Sequence, residues 1–521
     1  MRDPSAAPTF GELVTLGARR SPERIAAKER DGRTRSYAEL DARTNRLAQA
    51  LLGAGLVRGD RVAAWMEDRL EYIELYVAAA KAGLVMVPVN ARLQPAEAAY
   101  HLTDSGARAL VWTGGLQEQV ERLGDLGSDV LAVATDPGVR AGVQDYEALL
   151  ACGEDRPPAP PAAGDLYIIG YTSGTTGRPK GAMLTHGGVV ALARLNALSY
   201  RLPYFSVGAL TGSMSFVATV PAHIVTHAYL GGTVVLMGQW DVALLLDTVA
   251  RERATFTYVP SPLLTEFTQA AARDPRPWST LRCILHSASR ADPDKLRALA
   301  AVVGERLVEG WGMTEHSGGL MTATTADDVT GGAQTADVFA TVGRAVAECA
   351  VEVVGPGGAA LPHDGTTVGE LVFRSPALMT GYWNRPQETA AALRGGWFHS
   401  GDLGAIDPKG YVSIVERRTD LVVTGGMNVY PSEVEACILE LDGVAECAVV
   451  GLPHERWGQT VAAAVVLDGT RELGAEDVIA HCRELLASFK KPTEVVFVDA
   501  LPRTASLKIQ RSIVRDRLAA R

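Results

Sequence analysis

The first 150 residues alternate between helical and strand-like spacing of their hydrophobic positions. Apolar residues recur at helical intervals over Tyr37–Ala54 and Glu71–Gly83, which predicts two helices. Short apolar runs at Arg61–Trp65 and Val85–Val89 each follow one of these helices and predict strands. Such alternation indicates an α/β fold in which helices cover buried sheets.

The same periodicity predicts further elements along the rest of the chain. Strands are expected at Leu166–Tyr171, Thr255–Val259, Arg282–Leu285, Ala350–Val354, Glu370–Arg374, Tyr411–Arg417, Leu421–Thr424, Ala445–Val450, Val461–Val466 and Glu494–Asp499, with another helix at Ala475–Ala487. Pro431–Leu441 reads as a helix with Ser432 as its N-cap and Glu435 completing a capping box. The elements after residue 418 would form a compact α+β unit of about 100 residues, a usual size for a small domain.

Residues 202–240 contain no Asp, Glu, Lys or Arg, which at first resembles a membrane span. Prolines, glycines, histidines and hydroxyl residues interrupt the stretch, so it lacks the apolar run of about 20 residues that a span needs. We interpret it as buried core and pocket wall. His223 and His227 lie four residues apart, but no carboxylate completes an HExxH pattern, which disfavours a metal site.

The amino-acid composition favours some classes of protein and disfavours others. A chain of 521 residues with 47% hydrophobic and 21% charged residues is ordinary for a globular enzyme of several domains. The net charge of −10 disfavours nucleic acid as the main partner. The six cysteines are scattered without a CxxC pair, and Met1–Phe10 has no apolar signal segment, so we expect free thiols and a cytoplasmic location.

The segment YTSGTTGRPKGAM at Tyr171–Met183 follows the predicted strand LYIIGY. Its glycines allow tight turns and let backbone N–H groups approach an anion, while its hydroxyl and basic side chains supply donors and positive charge. The order of residues differs from a Walker A loop, because Pro179 separates the last glycine from the lysine. We therefore predict a loop that binds polyphosphate.

Five further motifs follow in a fixed order. They are EGWGMTE (Glu309–Glu315), GELVFRSPALMTGYW (Gly369–Trp383), WFHSGDLG (Trp397–Gly404), VERRTDLVVTGGMNVYPSEVE (Val415–Glu435) and LPRTASLKIQR (Leu501–Arg511). With the phosphate loop, this set resembles the adenylate-forming superfamily of acyl-CoA synthetases, NRPS adenylation domains and luciferases. The resemblance covers about residues 10–515.

The resemblance implies a fold and a reaction. The expected architecture is a large, multi-subdomain α/β domain over residues 1–417 and a small, mobile α+β cap domain over residues 418–521. Members of the family join a carboxylic acid to ATP, release pyrophosphate and pass the acyl-adenylate to a nucleophile. ATP, Mg²⁺ and CoA are the expected cofactors, and the enzyme is expected to be a monomer or homodimer.

The resemblance also assigns roles to individual residues. The phosphate loop would hold the β- and γ-phosphates through Thr172, Ser173, Gly174, Thr175, Thr176, Gly177 and Lys180. The adenine site would comprise Ser287, Ala288, Ser289, Glu309, Gly310, Trp311 and Gly312. Thr314 would contact phosphate, Glu315 would hold Mg²⁺, and Asp402 and Arg417 would contact the ribose. Lys508 would bridge the substrate carboxylate and the α-phosphate, where charge develops.

The expected acid pocket comprises Phe216, Val217, Gly312, His316 and Gly318. Its small residues leave room for a ring or a chain of medium length, and we favour an aromatic acid slightly. Val217 stands where the family usually has a histidine, which affects the expected acid class and acceptor. Other departures are Trp311 in place of a tyrosine, Thr419 at the hinge and Leu507 in place of a glycine before the catalytic lysine.

The nature of the acceptor stays open. The segments NVYPSEVE and FKKP are in the style of stand-alone CoA ligases, and 202–240 offers no acid to pair an amino acid's α-amine. Both observations favour an acid–CoA ligase over an NRPS module. The alternatives are transfer to an amine or other acceptor in natural-product chemistry, a luciferase-like oxidase, and a non-catalytic nucleotide-binding protein.

Overall fold

The computed structural model describes the chain in segments that fall into two compact units. The described residues are 8–136, 142–172, 179–238, 240–274, 280–287, 291–331, 337–417, 420–424, 427–454, 457–486, 488–504 and 508–521. One unit contains the described residues of 8–351 and 373–398, and the second contains those of 352–372 and 399–521.

Helices and strands alternate through most of the described chain. The helices are α1 Phe10–Arg20, α2 Tyr37–Gly53, α3 Leu70–Ala82, α4 Pro95–Ser105, α5 Gln117–Glu121, α6 Tyr146–Ala151, α7 His186–Ser199, α8 Val225–Tyr229, α9 Val242–Arg251, α10 Leu264–Arg273, α11 Pro293–Val303, α12 Ala326–Val329, α13 Pro386–Ala392, α14 Pro431–Leu439, α15 Ala475–Leu485 and α16 Arg511–Ala519. The strands are β1 Ile25–Glu29, β2 Thr34–Ser36, β3 Arg61–Trp65, β4 Val85–Val89, β5 Ala109–Trp112, β6 Leu131–Ala134, β7 Gln144–Asp145, β8 Leu166–Thr172, β9 Lys180–Thr185, β10 Val207–Leu210, β11 Thr233–Leu236, β12 Phe256–Tyr258, β13 Cys283–His286, β14 Leu307–Gly312, β15 Leu320–Ala323, β16 Arg344–Ala345, β17 Ala350–Val354, β18 Gly369–Arg374, β19 Leu393–Arg394, β20 Trp397–Ile406, β21 Val412–Arg417, β22 Val422–Thr424, β23 Met427–Val429, β24 Val444–His454, β25 Gly458–Leu467 and β26 Glu494–Phe497.

A seven-stranded sheet in the first unit has the order β7-β6-β5-β3-β4-β8-β9. Neighbouring strands in this sheet are parallel, including β4 and β8, except that β8 and β9 form an antiparallel hairpin. Every residue of β4, the run VMVPV, is buried. Such continuous apolar runs are expected of parallel strands that are covered on both faces.

A nine-stranded sheet in the same unit has the order β16-β15-β14-β13-β12-β10-β11-β1-β2. Its central strands are parallel, and β2, β15 and β16 complete it in antiparallel pairing. The strands β10 and β11 come from the charge-free stretch 202–240. Most of that stretch is buried, although Tyr204 is 72% exposed.

Two five-stranded sheets follow later in the chain. One has the order β17-β18-β20-β19 with β21 paired to β20, and the other has the order β23-β22-β25-β24 with β26 paired to β25. In the second of these sheets, apolar residues pack with α14 and α15 around Val434, Ile438, Val449 and Val478. The predicted α+β elements of the C-terminal region therefore share one hydrophobic core.

Helix α3 is buried along its whole length, including its charged residues. The Glu74 carboxylate is fully buried and accepts hydrogen bonds at 2.7 Å from Arg35 Nε and at 2.7 Å from Arg43 Nε. Burying a lone carboxylate would be very costly, so these arginines are needed to compensate its charge. The sequence places both in the segment that precedes and forms α2.

The predicted elements agree with the structure in type, with boundaries shifted by a few residues. One local prediction is wrong: Ser432 lies inside α14, and Tyr430 is the N-cap residue. The Ser432 hydroxyl donates to the Val415 carbonyl at 2.9 Å, and Glu435 is bonded to Arg511. These tertiary bonds occupy the two side chains that would form the capping box.

The predicted domain boundary between residues 417 and 418 stays a prediction.

Among the described helices, none has both the length and the apolar character that crossing a bilayer requires.

Candidate active site

The phosphate loop connects β8 and β9. Thr172 lies opposite Lys180 in the hairpin register, so these residues stand at the two ends of the loop. The Thr172 hydroxyl donates to the Lys180 carbonyl at 3.4 Å. The predicted loop residues lie outside the described residues, namely Ser173, Gly174, Thr175, Thr176 and Gly177.

Tyr382 contacts two predicted site residues and is an additional candidate residue of the site. Its ring centroid lies 5.5 Å from the Lys180 ammonium, and its hydroxyl donates to Glu315 Oε1 at 2.8 Å. Backbone pairing holds it there, because Ala182 and Tyr382 form an antiparallel bridge. Tyr382 lies in the motif GELVFRSPALMTGYW, so the motif marks its position but does not indicate its contacts.

Thr314 and Glu315 lie in a 3₁₀ turn that follows β14. The Glu315 carbonyl accepts a hydrogen bond from Met379 N at 2.8 Å, which fixes the turn. A Cβ at Gly170 would lie 2.4 Å from Val217 Cγ2 and 3.2 Å from Thr314 Cγ2. The predicted phosphate contact Thr314 and the predicted pocket residue Val217 therefore both approach β8 at Gly170.

Gly318 packs directly against the pocket segment. It has a φ of +83°, and a Cβ there would lie 2.6 Å from Ala218 N and 2.7 Å from Ala218 Cα. A side chain at this position would meet backbone atoms that cannot rotate away, and its φ would be strained. The structure thus brings together the predicted pocket residues Val217 and Gly318.

His316 is fully buried, and both of its ring nitrogens contact protein atoms. Nδ1 is 3.2 Å from the Gly319 carbonyl, and Nε2 is 2.7 Å from the Ser375 hydroxyl. Burial lowers the pKa of His316 to about 4, so the ring is neutral near pH 7. Through these two contacts the His316 side chain stabilises the turn that contains Glu315.

The pocket segment around Phe216 is anchored by Asp68. Asp68 Oδ1 accepts hydrogen bonds from Met214 N at 2.7 Å and from the Ser213 hydroxyl at 3.1 Å. Phe216 is half-buried, whereas Val217 is buried. Burial raises the pKa of Asp68 to about 6, despite these hydrogen bonds to its charged form.

A series of hydrogen-bonded polar side chains lies at the strand ends predicted to bind adenine. His286 hydrogen-bonds Glu309 Oε2 through Nδ1, and it hydrogen-bonds the Ser261 hydroxyl through Nε2 at 2.7 Å. Burial raises the pKa of Glu309, and the neighbouring His286 partly offsets that effect. These hydrogen bonds link the ends of β13 and β14, which are parallel neighbours in the sheet.

The remaining predicted adenine residues surround these strand ends. The Ser287 carbonyl accepts a hydrogen bond from the Tyr258 hydroxyl at 3.4 Å. Gly310, Trp311 and Gly312 lie in β14, and the Trp311 ring packs edge-on against Phe373 with centroids 6.0 Å apart. Ala288 and Ser289 lie outside the described residues.

Asp402, Arg417 and Lys508 belong to the second unit. Asp402 in β20 is buried and lies opposite Arg417 in β21. Lys508 is exposed, and its backbone carbonyl accepts a hydrogen bond from Thr504 N at 2.7 Å. Residues 505–507, which include Leu507, and the hinge position Thr419 lie outside the described residues.

The donor set suits Mg²⁺ bound with a nucleotide. Within the described ranges, His, Cys, Asp and Glu side chains form no group of three or more that could hold a metal by themselves. Mg²⁺ in nucleotide sites typically binds through one or two carboxylates together with substrate phosphates. The Glu315 carboxylate, oriented by Tyr382, fits that requirement.

Comparisons with known proteins agree with this description. The family described as AMP-binding enzyme matches residues 15–383, and the AMP-binding enzyme C-terminal domain matches residues 433–508. Feruloyl-CoA synthase from Amycolatopsis sp is 37% identical over 98% of this chain and 99% of that protein. The long-chain-fatty-acid–CoA ligase FadD13 from Mycobacterium tuberculosis is 33% identical, with 93% of each chain covered.

Solved structures share the fold. ATP-bound MatB from Rhodopseudomonas palustris has a TM-score of 0.85 at 30% identity and covers 97% of this chain and 99% of its own. The amide bond synthetase McbA from Marinactinospora thermotolerans has a TM-score of 0.83 at 26% identity over 97% of this chain and 99% of its own.

These findings confirm the predicted adenylate-forming fold, the acid–thiol ligase class and the set of ATP, Mg²⁺ and CoA. The match of the family to residues 15–383 alone covers more than half of the chain. The chain belongs to the AMP-binding enzyme family.

Proposed function

We propose that the acid substrate is an aromatic carboxylic acid, which the enzyme activates as its acyl-adenylate and transfers to CoA. The observation that carries this proposal is the 37% identity to feruloyl-CoA synthase along almost the whole of both chains. Gly318 and Gly319 pack tightly against Ala218 and Leu192, so the proposal does not depend on space at these two glycines.

Phosphate binding is proposed for the β8–β9 hairpin and its loop. Thr172 and Lys180 would act together with Ser173, Gly174, Thr175, Thr176 and Gly177. A loop of backbone N–H groups, hydroxyls and one ammonium would neutralise the polyphosphate as the acid attacks. Thr314 would contact phosphate beside this hairpin, and Glu315 would bind the Mg²⁺ that shields the leaving pyrophosphate.

Nucleoside binding is proposed for two groups of residues. The adenine would lie against Ser287, Ala288, Ser289, Glu309, Gly310, Trp311 and Gly312. The ribose hydroxyls would donate to the Asp402 carboxylate, with Arg417 nearby. The Lys508 ammonium would stabilise charge on the reacting carboxylate and the α-phosphate, which places it in the adenylation step.

The acid would lie among Phe216, Val217, Gly312 and Gly318. The contacts of His316 support a positioning role for it, because its two ring nitrogens contact Gly319 and Ser375. Val217, where the family usually has a histidine, would leave an apolar surface beside Gly170 that suits a ring better than a polar acid.

The domain division at residues 417 and 418 is proposed with these roles, and so is a cytoplasmic location. The free state of all six cysteines supports the location, since reducing compartments keep thiols unpaired.

The acid class is tested by comparing kcat/KM for a hydroxycinnamate and for octanoate in CoA thioester formation. We expect the aromatic acid to be favoured by about 10-fold or more, the scale at which apolar pockets discriminate. Val217→Ala should change that ratio and leave KM for ATP unchanged, whereas Val57→Ala, at an exposed valine, should change neither. A ratio that favours octanoate would refute the aromatic proposal.

A second candidate is transfer to an amine instead of CoA. It is favoured by the likeness to an amide bond synthetase and by Val217 in the pocket segment. Replacing CoA by an amine and assaying for amide by mass spectrometry decides between the two. Amide formation faster than thioester formation would establish the amine acceptor.

A further inference from the structure

The C-terminal half of α4 contacts both ends of the phosphate loop. Tyr171 immediately precedes Thr172, and Pro179 immediately precedes Lys180. Tyr100, His101 and Asp104 of α4 contact these two flanking positions. We call these three α4 residues the loop clamp.

At the first end, the clamp holds the Tyr171 side chain in two ways. The Tyr171 hydroxyl donates to Asp104 Oδ2 at 2.7 Å, and its ring stacks on His101 with centroids 4.3 Å apart and planes inclined by 10°. Burial and the bond to Asp104 raise the pKa of Tyr171, so the phenol remains a donor. Burial lowers the pKa of His101 to about 4, so its ring is neutral near pH 7.

At the second end, the Tyr100 hydroxyl donates to the Pro179 carbonyl at 2.9 Å. The chain segment beside β9 is tied to the same helix. Arg385 donates to Asp104 Oδ1 at 2.7 Å, and Trp383 Nε1 donates to the Asp104 carbonyl at 3.1 Å. Trp383 N in turn donates to the Gly181 carbonyl at 2.8 Å.

Asp104 is the centre of this arrangement. Its side chain is only 12% exposed, and each carboxylate oxygen accepts a separate hydrogen bond. Hydrogen bonds to a charged group are about twice as strong as neutral ones, and a helix fixes the position of their acceptor. Groups that are held in place before a ligand binds lose less conformational entropy on binding, and here this applies to Thr172 and Lys180 at the two ends of the loop.

We propose that Asp104, with Tyr100 and His101, positions the two ends of the phosphate loop at Thr172 and Lys180 and thereby sets the affinity for the β- and γ-phosphates of ATP. The inference rests on the proposed function of the 172–180 loop. The clamp residues act through Tyr171 and Pro179, so they are positioning residues. Their loss should weaken ATP binding while leaving binding of AMP, which lacks these phosphates, unchanged.

The experiment measures dissociation constants for MgATP and for AMP by calorimetry, without acid present. Asp104→Asn should raise the dissociation constant for MgATP by about 10-fold, and the milder Tyr100→Phe by about 3-fold, as expected for losing a charged and a neutral hydrogen bond. The constant for AMP should stay within about 2-fold of the unsubstituted enzyme. Glu252→Gln is the matched control, because Glu252 is a similarly shielded carboxylate paired with Lys28 at 2.8 Å in the same unit.

Lys180→Ala separates the inference from the function on which it rests. Lys180→Ala could weaken MgATP binding selectively while Asp104→Asn and Tyr100→Phe leave it unchanged. That result would contradict the role of the loop clamp and leave the proposed role of the loop intact. If Lys180→Ala leaves MgATP and AMP binding unchanged, the proposed role of the loop fails and the inference with it. Equal weakening of both nucleotides by Asp104→Asn, with Tyr100→Phe unchanged, would also overturn the clamp, because it would reveal a general structural role.

Discussion

Replacing Tyr382 by phenylalanine removes one hydrogen bond at the proposed metal site and little else. The hydroxyl donates to Glu315 Oε1 at 2.8 Å, whereas the ring that faces the Lys180 ammonium at 5.5 Å is retained. Groups that orient a metal-binding carboxylate are typically worth 10- to 100-fold in metal affinity or activity. The substitution therefore tests whether Glu315 must be held in one orientation.

The size of the effect follows from the bond and its surroundings. A hydrogen bond to a charged group contributes about 1.5–3 kcal/mol, and both side chains are half-buried, so water can replace part of it. Taking the lower value of about 1.5 kcal/mol, we expect kcat/KM for MgATP to fall about 10-fold. Tyr382→Leu also removes the cation–π contact, worth about 0.5–1 kcal/mol, and should cost a further factor of about 2 to 5.

The assay is pyrophosphate release at saturating acid over a titration of Mg²⁺. In Tyr382→Phe the Mg²⁺ concentration for half-maximal rate should rise, and high Mg²⁺ should restore part of the activity. Tyr204→Phe, at a tyrosine that is 72% exposed, is the control and should behave as the unsubstituted enzyme. An unchanged kcat/KM and an unchanged Mg²⁺ titration in Tyr382→Phe would show that Mg²⁺ binding does not depend on this hydrogen bond to Glu315.

Three other substitutions give independent checks. Lys508→Ala should abolish adenylate formation but leave acyl transfer from supplied acyl-adenylate largely intact, and equal loss of both half-reactions would contradict its role. Gly318→Ala should lower the thermal midpoint and the affinity for the acid, since its Cβ would lie 2.6 Å from Ala218 N, and unchanged values of both would contradict the tight packing. Burial lowers the pKa of His223 to about 3 and of His227 to about 4, so their contribution to stability is complete above pH 6.5 and is lost as pH falls toward 4. At pH 5 each of these two histidines should lower the free energy of unfolding by about 2 kcal/mol. In urea denaturation, His223→Phe should therefore lose less of its unfolding free energy between pH 7 and 5 than the unsubstituted enzyme does. An identical loss in both proteins would contradict this assignment.

The sheet cores follow from the sequence because hydrophobic periodicity determines them. The strands Arg61–Trp65 and Val85–Val89 have the predicted boundaries, since a polar residue or a glycine lies within two positions of each end of these apolar runs. The capping box at Ser432 failed for a different reason. A side chain that is able to cap a helix can also bond a neighbouring strand, and Ser432 bonds the Val415 carbonyl. Nothing in the local sequence distinguishes these outcomes.

The candidate site is predictable to the extent that its motifs carry recognisable chemistry. Lys180, Thr314 and Glu315 come from such motifs. The contacts of Tyr382 and Asp104 are not predictable in this way, although Tyr382 lies in a motif, because they depend on segments far apart in the chain that meet only after folding. The residues next to Tyr382, or next to Asp104 on its helix, do not indicate which distant side chain each one contacts. These partners are identified only from the three-dimensional structure.

Acid activation followed by transfer to CoA is tested by quantifying all products of one reaction mixture. Enzyme, MgATP and a hydroxycinnamate are incubated with and without CoA, and AMP, pyrophosphate and thioester are quantified together. Without CoA we expect about one pyrophosphate per enzyme. With CoA we expect continuous turnover in which thioester, AMP and pyrophosphate appear in equal amounts. Continuous pyrophosphate release with CoA present but without thioester would contradict it.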